Sequence, residues 1–152
     1  MEIFATQKAA LAVLKTKMNN EGMNIRHAKS RGEWAELRFM TRATALGLRV
    51  TKPWGDNSPY DFALDYRGRF RRVQVKCTIC KRDNSYVCGI SANHVPYRPD
   101  QIDFFAIYVI PTDTWYILPL KATHNQLDIV LSPHRKNGKY SKYQEAWHLL
   151  KR

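Results

Sequence analysis

The spacing of hydrophobic residues along this chain changes several times, and each change predicts an element. Ala9, Ala10, Leu11, Ala12, Val13 and Leu14 sit among Lys8, Lys15 and Lys17 without Gly or Pro, which predicts a helix with a basic flank over residues 3–18. A connector over 19–30 follows, then a second helix from Gly32 to about Leu46, capped near Ser30 and stopped by Gly47. Its apolar stripe reads Phe39, Met40, Ala43 and Leu46, with Glu36 inside it. Residues 48–52 form the first strand, and Pro53 to Pro59 is a loop rich in turn residues. Period-two alternation then returns in Phe62, Leu64 and Tyr66, and Phe70, Val73 and Val75 follow the turn Tyr66-Arg67-Gly68-Arg69, which predicts a β-hairpin.

Beyond the hairpin, residues 79–82 and 86–91 extend the sheet and 95–101 is a loop. Ile102 to Ile110 is nearly all apolar and of strand length, the pattern of a strand covered on both faces. Residues 115–120 are the next strand and 132–141 a basic loop. The chain closes on a helix over 142–151, with Tyr143, Ala146, Trp147 and Leu150 at helical spacing and Trp147 in the core. The expectation is one domain, with a basic arm and connector over 1–30, a core over 31–120 and a loop and helix over 121–152.

The polar residues inside this pattern carry the candidate chemistry. Asp61 opens the first hairpin strand, while Gln74 and Lys76, two apart, share a face near the end of the second. Antiparallel pairing brings the three together. An acid, an amide oxygen and an amine at one sheet edge can hold a hard divalent cation and orient a water, the outline of phosphodiester hydrolysis; a solvated hairpin is the plainer alternative. Glu36 on an apolar face requires a partner, either a Lys or Arg or a metal, because an unpaired buried carboxylate costs several kcal/mol. Trp54, Asn57 and Ser58 can reach a nucleic acid, although a packing Trp and turn-forming Asn and Ser are the simpler reading. Arg67, Arg69, Arg71 and Arg72 make either a soluble edge or a phosphate track.

Charge narrows the partners. In 152 residues, 25 Lys and Arg oppose 13 Asp and Glu, a net +12 spread along the chain, and 44% hydrophobic content suffices for a core. That balance points to nucleic acid. No apolar run approaches the roughly 20 residues of a membrane span, and residues 1–20 lack the apolar stretch of a signal peptide. An intracellular, cytoplasmic, nucleoid-associated protein with no membrane partner is expected. Three cysteines, an odd number, fit a reducing compartment. Cys77, Cys80, Cys88 and His94 can be written as a zinc quartet; inert thiols are the alternative.

Glu36 on a helix, Asp61, then Gln74-Val75-Lys76 on successive strands resembles the PD-(D/E)xK endonuclease superfamily. The runs R-G-E-W-A-E, P-W-G-D-N-S-P-Y-D-F, F-R-R-V-Q-V-K-C-T and Y-R-P-D-Q-I-D-F-F-A-I-Y-V-I-P-T-D-T-W-Y-I-L-P-L look most like its group I intron-encoded homing endonucleases and their bacterial relatives. The core order is also similar to archaeal Holliday junction resolvases. The resemblance implies a restriction-endonuclease-like α/β fold, α-β-β-β-α-β with a mixed central sheet and extra terminal helices. It implies a metal-dependent endonuclease cutting double-stranded or branched DNA as a homo-oligomer, dimer or tetramer, with Mg²⁺ or Mn²⁺. Asp61, Gln74 and the Val75 carbonyl would be metal ligands, Glu36 would act through water or on a second ion, and Lys76 would serve the attacking water or the phosphate. Lys52, Asn57, Ser58, Arg72 and Thr78 are the expected nucleic-acid contacts. Gln74 departs from the usual acid, which keeps an oxygen ligand but removes a charge. This leaves open a non-cleaving DNA-binding module.

Overall fold

In a computed structural model, residues 21–152, together with Ala9, are described. Apart from Ala9, the basic helix expected over 3–18 therefore lies outside the described residues, as does the beginning of the connector. Helix α1, Ala28–Ala45, is the main helix of the described chain and begins four residues earlier than its sequence pattern suggests. Its N-cap is His27, which makes no side-chain capping bond, so Ser30 lies inside the helix. The stop is the expected one. Gly47 takes φ +82°, its N–H donates to Thr44 O at 2.9 Å, and Leu48 N–H donates to Ala43 O at 3.1 Å, a Schellman closure that suits glycine. The buried row is Ala35, Phe39 and Ala43, at intervals of four; Met40 is 37% exposed and does not belong to it.

Strand β1 (Arg49–Thr51) pairs with β2 (Phe62–Tyr66), and β2 pairs antiparallel with β3 (Arg69–Thr78). Arg67 and Gly68 join β2 to β3 in a two-residue turn with φ of 54° and 79°, the primed geometry whose twist matches paired strands. Asp65 Oδ1 accepts from Gly68 N–H at 2.8 Å and locks the turn. The sheet continues through β8 (Phe104–Val109), parallel to β3, to β9 (Thr114–Pro119), giving five strands in the order β1-β2-β3-β8-β9.

The sheet's faces have separate cores. On one, Phe39 of α1 stacks on Phe62 and Trp147 at 5.5 and 5.6 Å, over Leu64, Val73, Val75, Ala106 and Tyr108. On the other, Phe105, Ile107 and Val109 pack beneath Tyr86, Cys88, Ile129 and Leu131. The run 102–110 is thus covered on both faces, as its composition predicts.

Three expectations need correction. Where α-β-β-β-α-β places a second helix, the chain between β3 and β8 carries β4 (Lys81–Arg82), β5 (Ser85–Gly89), β6 (Ser91–Ala92) and β7 (Val95–Pro96). β4 and β5 do not extend the main sheet; with β10 (Asp128–Leu131) they form a separate three-stranded one that roofs its second face. The closing helix over 142–151 is two short 3₁₀ segments, Ser141–Tyr143 and Trp147–Lys151, although Trp147 is buried as expected. Among the described residues, no helix is long and apolar enough to cross a membrane.

Candidate active site

The site forms where β2 stops short of β3. β2 begins at Phe62, opposite Val73, so the next inward-facing backbone groups of β3, at Val75, have no strand beside them. Asp61 fills the gap: its N–H donates to Val73 O at 3.0 Å, and its Oδ2 accepts from Val75 N–H at 2.7 Å. The N–H and C=O of one strand residue leave on the same side, so the Val75 carbonyl opens into this gap as well. The Gln74 amide lies against that carbonyl, Nε2 to O 3.5 Å, and turning the amide over presents its oxygen at the same place.

Alternation decides which face each side chain reaches. Val73 and Val75 are buried beneath α1, so Gln74 and Lys76 point to the opposite face, where the Lys76 ammonium lies 5.5 Å from the ring centre of buried Tyr97. Tyr97 is in turn held edge-on by Phe105 at 5.4 Å. Glu36 and Lys52 approach from the helix side, with Lys52 Nζ 2.6 Å from Glu36 Oε2 and 5.4 Å from the Phe62 ring centre. The site therefore straddles the sheet through the gap that Asp61 occupies.

These groups act on one another electrostatically. Burial pushes the Asp61 carboxyl up to about 6; the Val75 N–H pulls it down, Glu36 raises it, and Lys76 and Lys52 lower it. The hydrogen bond from Lys52 to Glu36 raises the lysine's pKa. The carboxylate that the sequence requires to be partnered is thus paired with a lysine, which itself was expected to contact nucleic acid.

The other expected contacts divide. Asn57 is exposed and Ser58 half-buried on the loop leading to Asp61. Arg72 is a strut: its guanidinium bonds both Asp103 oxygens, at 3.1 and 2.9 Å, and the carbonyls of Pro99 and Asp100, leaving little of it for phosphate. Burial alone would raise the Asp103 carboxyl, but Arg72 outweighs it and holds it low. Thr78 is 6% exposed and its hydroxyl donates to Val87 O, which makes it a packing residue at the end of β3. Tyr97 and Asp103 fall within the run Y-R-P-D-Q-I-D-F-F that carries the resemblance, but no spacing or residue type there singles either out, and both escaped the sequence reading as site residues.

The donor set at the gap consists of hard oxygens, a carboxylate, an amide and a backbone carbonyl, with a second carboxylate behind Lys52, and this chemistry fits Mg²⁺ or Mn²⁺. Among the described residues, no group of three or more His, Cys, Asp or Glu is placed to hold a metal, which leaves Cys77, Cys80, Cys88 and His94 without a zinc arrangement. Cys80 is exposed, whereas Cys88 is buried and its thiol is pushed up to about 12.

A mixed sheet with an acid just ahead of its second strand, beside a third strand carrying Gln-Val-Lys, is the arrangement expected of an endonuclease core. The sequence profile of the PD-(D/E)XK endonuclease family matches residues 26–150, and the chain belongs to that family. Among solved structures it is similar to a bacterial homing endonuclease, I-Ssp6803I, with 28% identity and a TM-score of 0.71 over 82% of this chain and 91% of that one. No curated protein matches it.

Proposed function

We propose that this nuclease is a metal-dependent endodeoxyribonuclease of the site-specific, homing type, working as a homo-oligomer on double-stranded DNA. The observation that carries the reading is the gap itself, with Asp61, the Val75 carbonyl and the Gln74 amide around one point and the Lys76 charge felt there. Asp61, Gln74 and the Val75 carbonyl would hold Mg²⁺ or Mn²⁺, with Glu36 contributing through water. The ion, when bound, supplies Lewis-acid stabilisation of the phosphorane-like charge and acidifies a water.

The chain's own groups do the rest. Lys76, an ammonium steadied by the Tyr97 ring, donates to the attacking water or to the non-bridging phosphate oxygen as charge develops there. Asp61, kept partly desolvated, orients that water by accepting from it. Lys52 balances the charge of Glu36, so that two carboxylates tolerate one another across the gap. One such centre cuts one strand, so a double-strand break needs two chains.

The test compares supercoiled plasmid, linear duplex and a four-way junction in Mg²⁺, in Mn²⁺ and in EDTA. Nicking and linearisation of duplex are expected with either ion and none in EDTA. Asp61→Ala and Lys76→Ala are expected to lower the single-turnover rate by roughly 10²- to 10³-fold with duplex binding retained. Cutting confined to the junction would make the chain a structure-selective nuclease, and binding without cutting would make it a DNA-binding module. Activity untouched by both substitutions overturns the site.

A further inference from the structure

Trp54 is 103% exposed, while the three other tryptophans are packed: Trp115 and Trp147 are buried, and Trp34 lies 5.8 Å from Tyr108. Among the described residues Trp54 makes no aromatic or cation–π contact. The packing role expected for it from the sequence is therefore not the one it has. Indole is the largest apolar side chain, and its exposure leaves its apolar area free for a partner; what gives that area meaning is where the loop places it.

Its position says which surface. The loop 53–60 leaves Lys52, fixed to Glu36 at 2.6 Å, and returns at Asp61, fixed to Val75 at 2.7 Å. Both ends are thus tied to the catalytic gap, and Trp54, two residues from Lys52, stays within roughly 7 Å of its backbone. Its neighbours Gly55, Asp56 and Asn57 are also exposed, so the loop carries the ring into solvent between two anchors at the gap.

We propose that Trp54 stacks on a base of the bound duplex at the step beside the cleaved phosphate, prising that step open and fixing the scissile bond over Asp61. Every base offers a face to an indole, and an apolar wedge that unstacks a step bends the duplex toward the protein. The inference rests on the DNA-nuclease reading above. It makes Trp54 a positioning residue, separate from the groups that touch the reacting atoms.

The probe is a duplex recovered from a randomised pool by retention on the full chain, with 2-aminopurine placed in turn at the steps flanking the cut. Wild type is expected to raise 2-aminopurine fluorescence at one step in the absence of Mg²⁺, with quenching of the solvent-exposed tryptophan emission. Trp54→Ala should abolish both signals and slow single-turnover cleavage roughly 10- to 100-fold, and Trp54→Phe, which lacks the indole emission, should restore most of the 2-aminopurine signal and of the rate. Because the ring touches nothing in the described fold, the melting temperature of Trp54→Ala should match wild type.

If the duplex binds and is cut but the fluorescence and rate of Trp54→Ala equal wild type, the inference falls and the nuclease stands. If no duplex is retained, both fall. A loss of oligomer with unchanged 2-aminopurine signal would overturn it in favour of a contact between copies of the chain.

Discussion

Asp61 spends its carboxylate on a backbone N–H that a neighbouring strand would otherwise have satisfied, and it does so partly desolvated beside Glu36. Both burial and Glu36 favour the protonated form, which moves its pKa from an ordinary 3.8 to about 6. A raised acid binds its proton more tightly in the folded chain than in the unfolded one. Its contribution to stability is therefore complete below about pH 4 and is lost as pH climbs through about 6, a change worth about 3 kcal/mol. Metal-free protein should accordingly melt lower at pH 7.5 than at pH 5, as far as this group decides. Asp61→Asn keeps an oxygen for Val75 and cannot ionise, so in EDTA it should be more stable than wild type at pH 7.5 by about 2–3 kcal/mol, with the difference shrinking toward pH 4. Melting curves of the two proteins in parallel across that range check it; parallel curves at every pH would remove Asp61 from a desolvated site. The same comparison tests the desolvated environment of Asp61 without cleavage, since it reads the carboxylate's ionisation through stability alone.

At the scale of elements, the closing segment shows where tertiary contacts overrule local pattern. Tyr143, Ala146, Trp147 and Leu150 have helical spacing, yet Glu145 between them takes φ 50° and grips the edge of β9. Its N–H donates to Trp115 O at 2.8 Å, and its carboxylate accepts from Trp115 N–H at 2.7 Å and from the Trp147 indole N–H at 2.8 Å. Three hydrogen bonds, two of them charge-assisted, outweigh the few tenths of a kcal/mol per residue by which helix propensities differ. Glu145→Ala, which local propensity alone would favour, should instead destabilise the chain by about 1–3 kcal/mol because the buried Trp147 N–H loses its acceptor. Urea denaturation measures this; a neutral or stabilising result would mean that the grip on β9 contributes nothing.

The contrast with the hairpin is instructive. Gly47 and the pair Arg67-Gly68 declare the end of α1 and the turn through local chemistry, and alternation around them delivers Asp61, Gln74 and Lys76 to one place. What the sequence hides depends on distant partners: the pairing of Glu36 with Lys52, the strut from Arg72 to Asp103, the ring of Tyr97 beside Lys76, and the second small sheet in place of a helix. Met40 was misplaced for the same reason, since three apolar neighbours at 39, 40 and 43 do not reveal which one the sheet will cover.

For the molecule as a whole the deciding quantity is charge. A net +12 on 152 residues produces attraction to a polyanion that no single residue accounts for. Much of it is exposed and outside the ion pairs of the described chain: Arg67 and Arg69 at the hairpin tip, Lys81 and Arg82 on β4, and Arg135 and Lys136 in the loop after β10. By contrast, Lys76 lies against the Tyr97 ring, and Arg72 and Lys52 are paired. Binding and chemistry should therefore respond differently to salt. If about six of the exposed cations neutralise phosphates, the equilibrium constant for duplex should fall about 10³-fold between 50 and 200 mM salt, as counterion release requires. The single-turnover rate at saturating duplex should change by less than about threefold over the same range, because the half-buried gap is poorly screened. Filter binding and quench-flow on one duplex separate the two. A flat binding curve would show that the surplus charge plays no part in holding DNA, and a rate falling in step with affinity would place some of those exposed cations at the reacting phosphate.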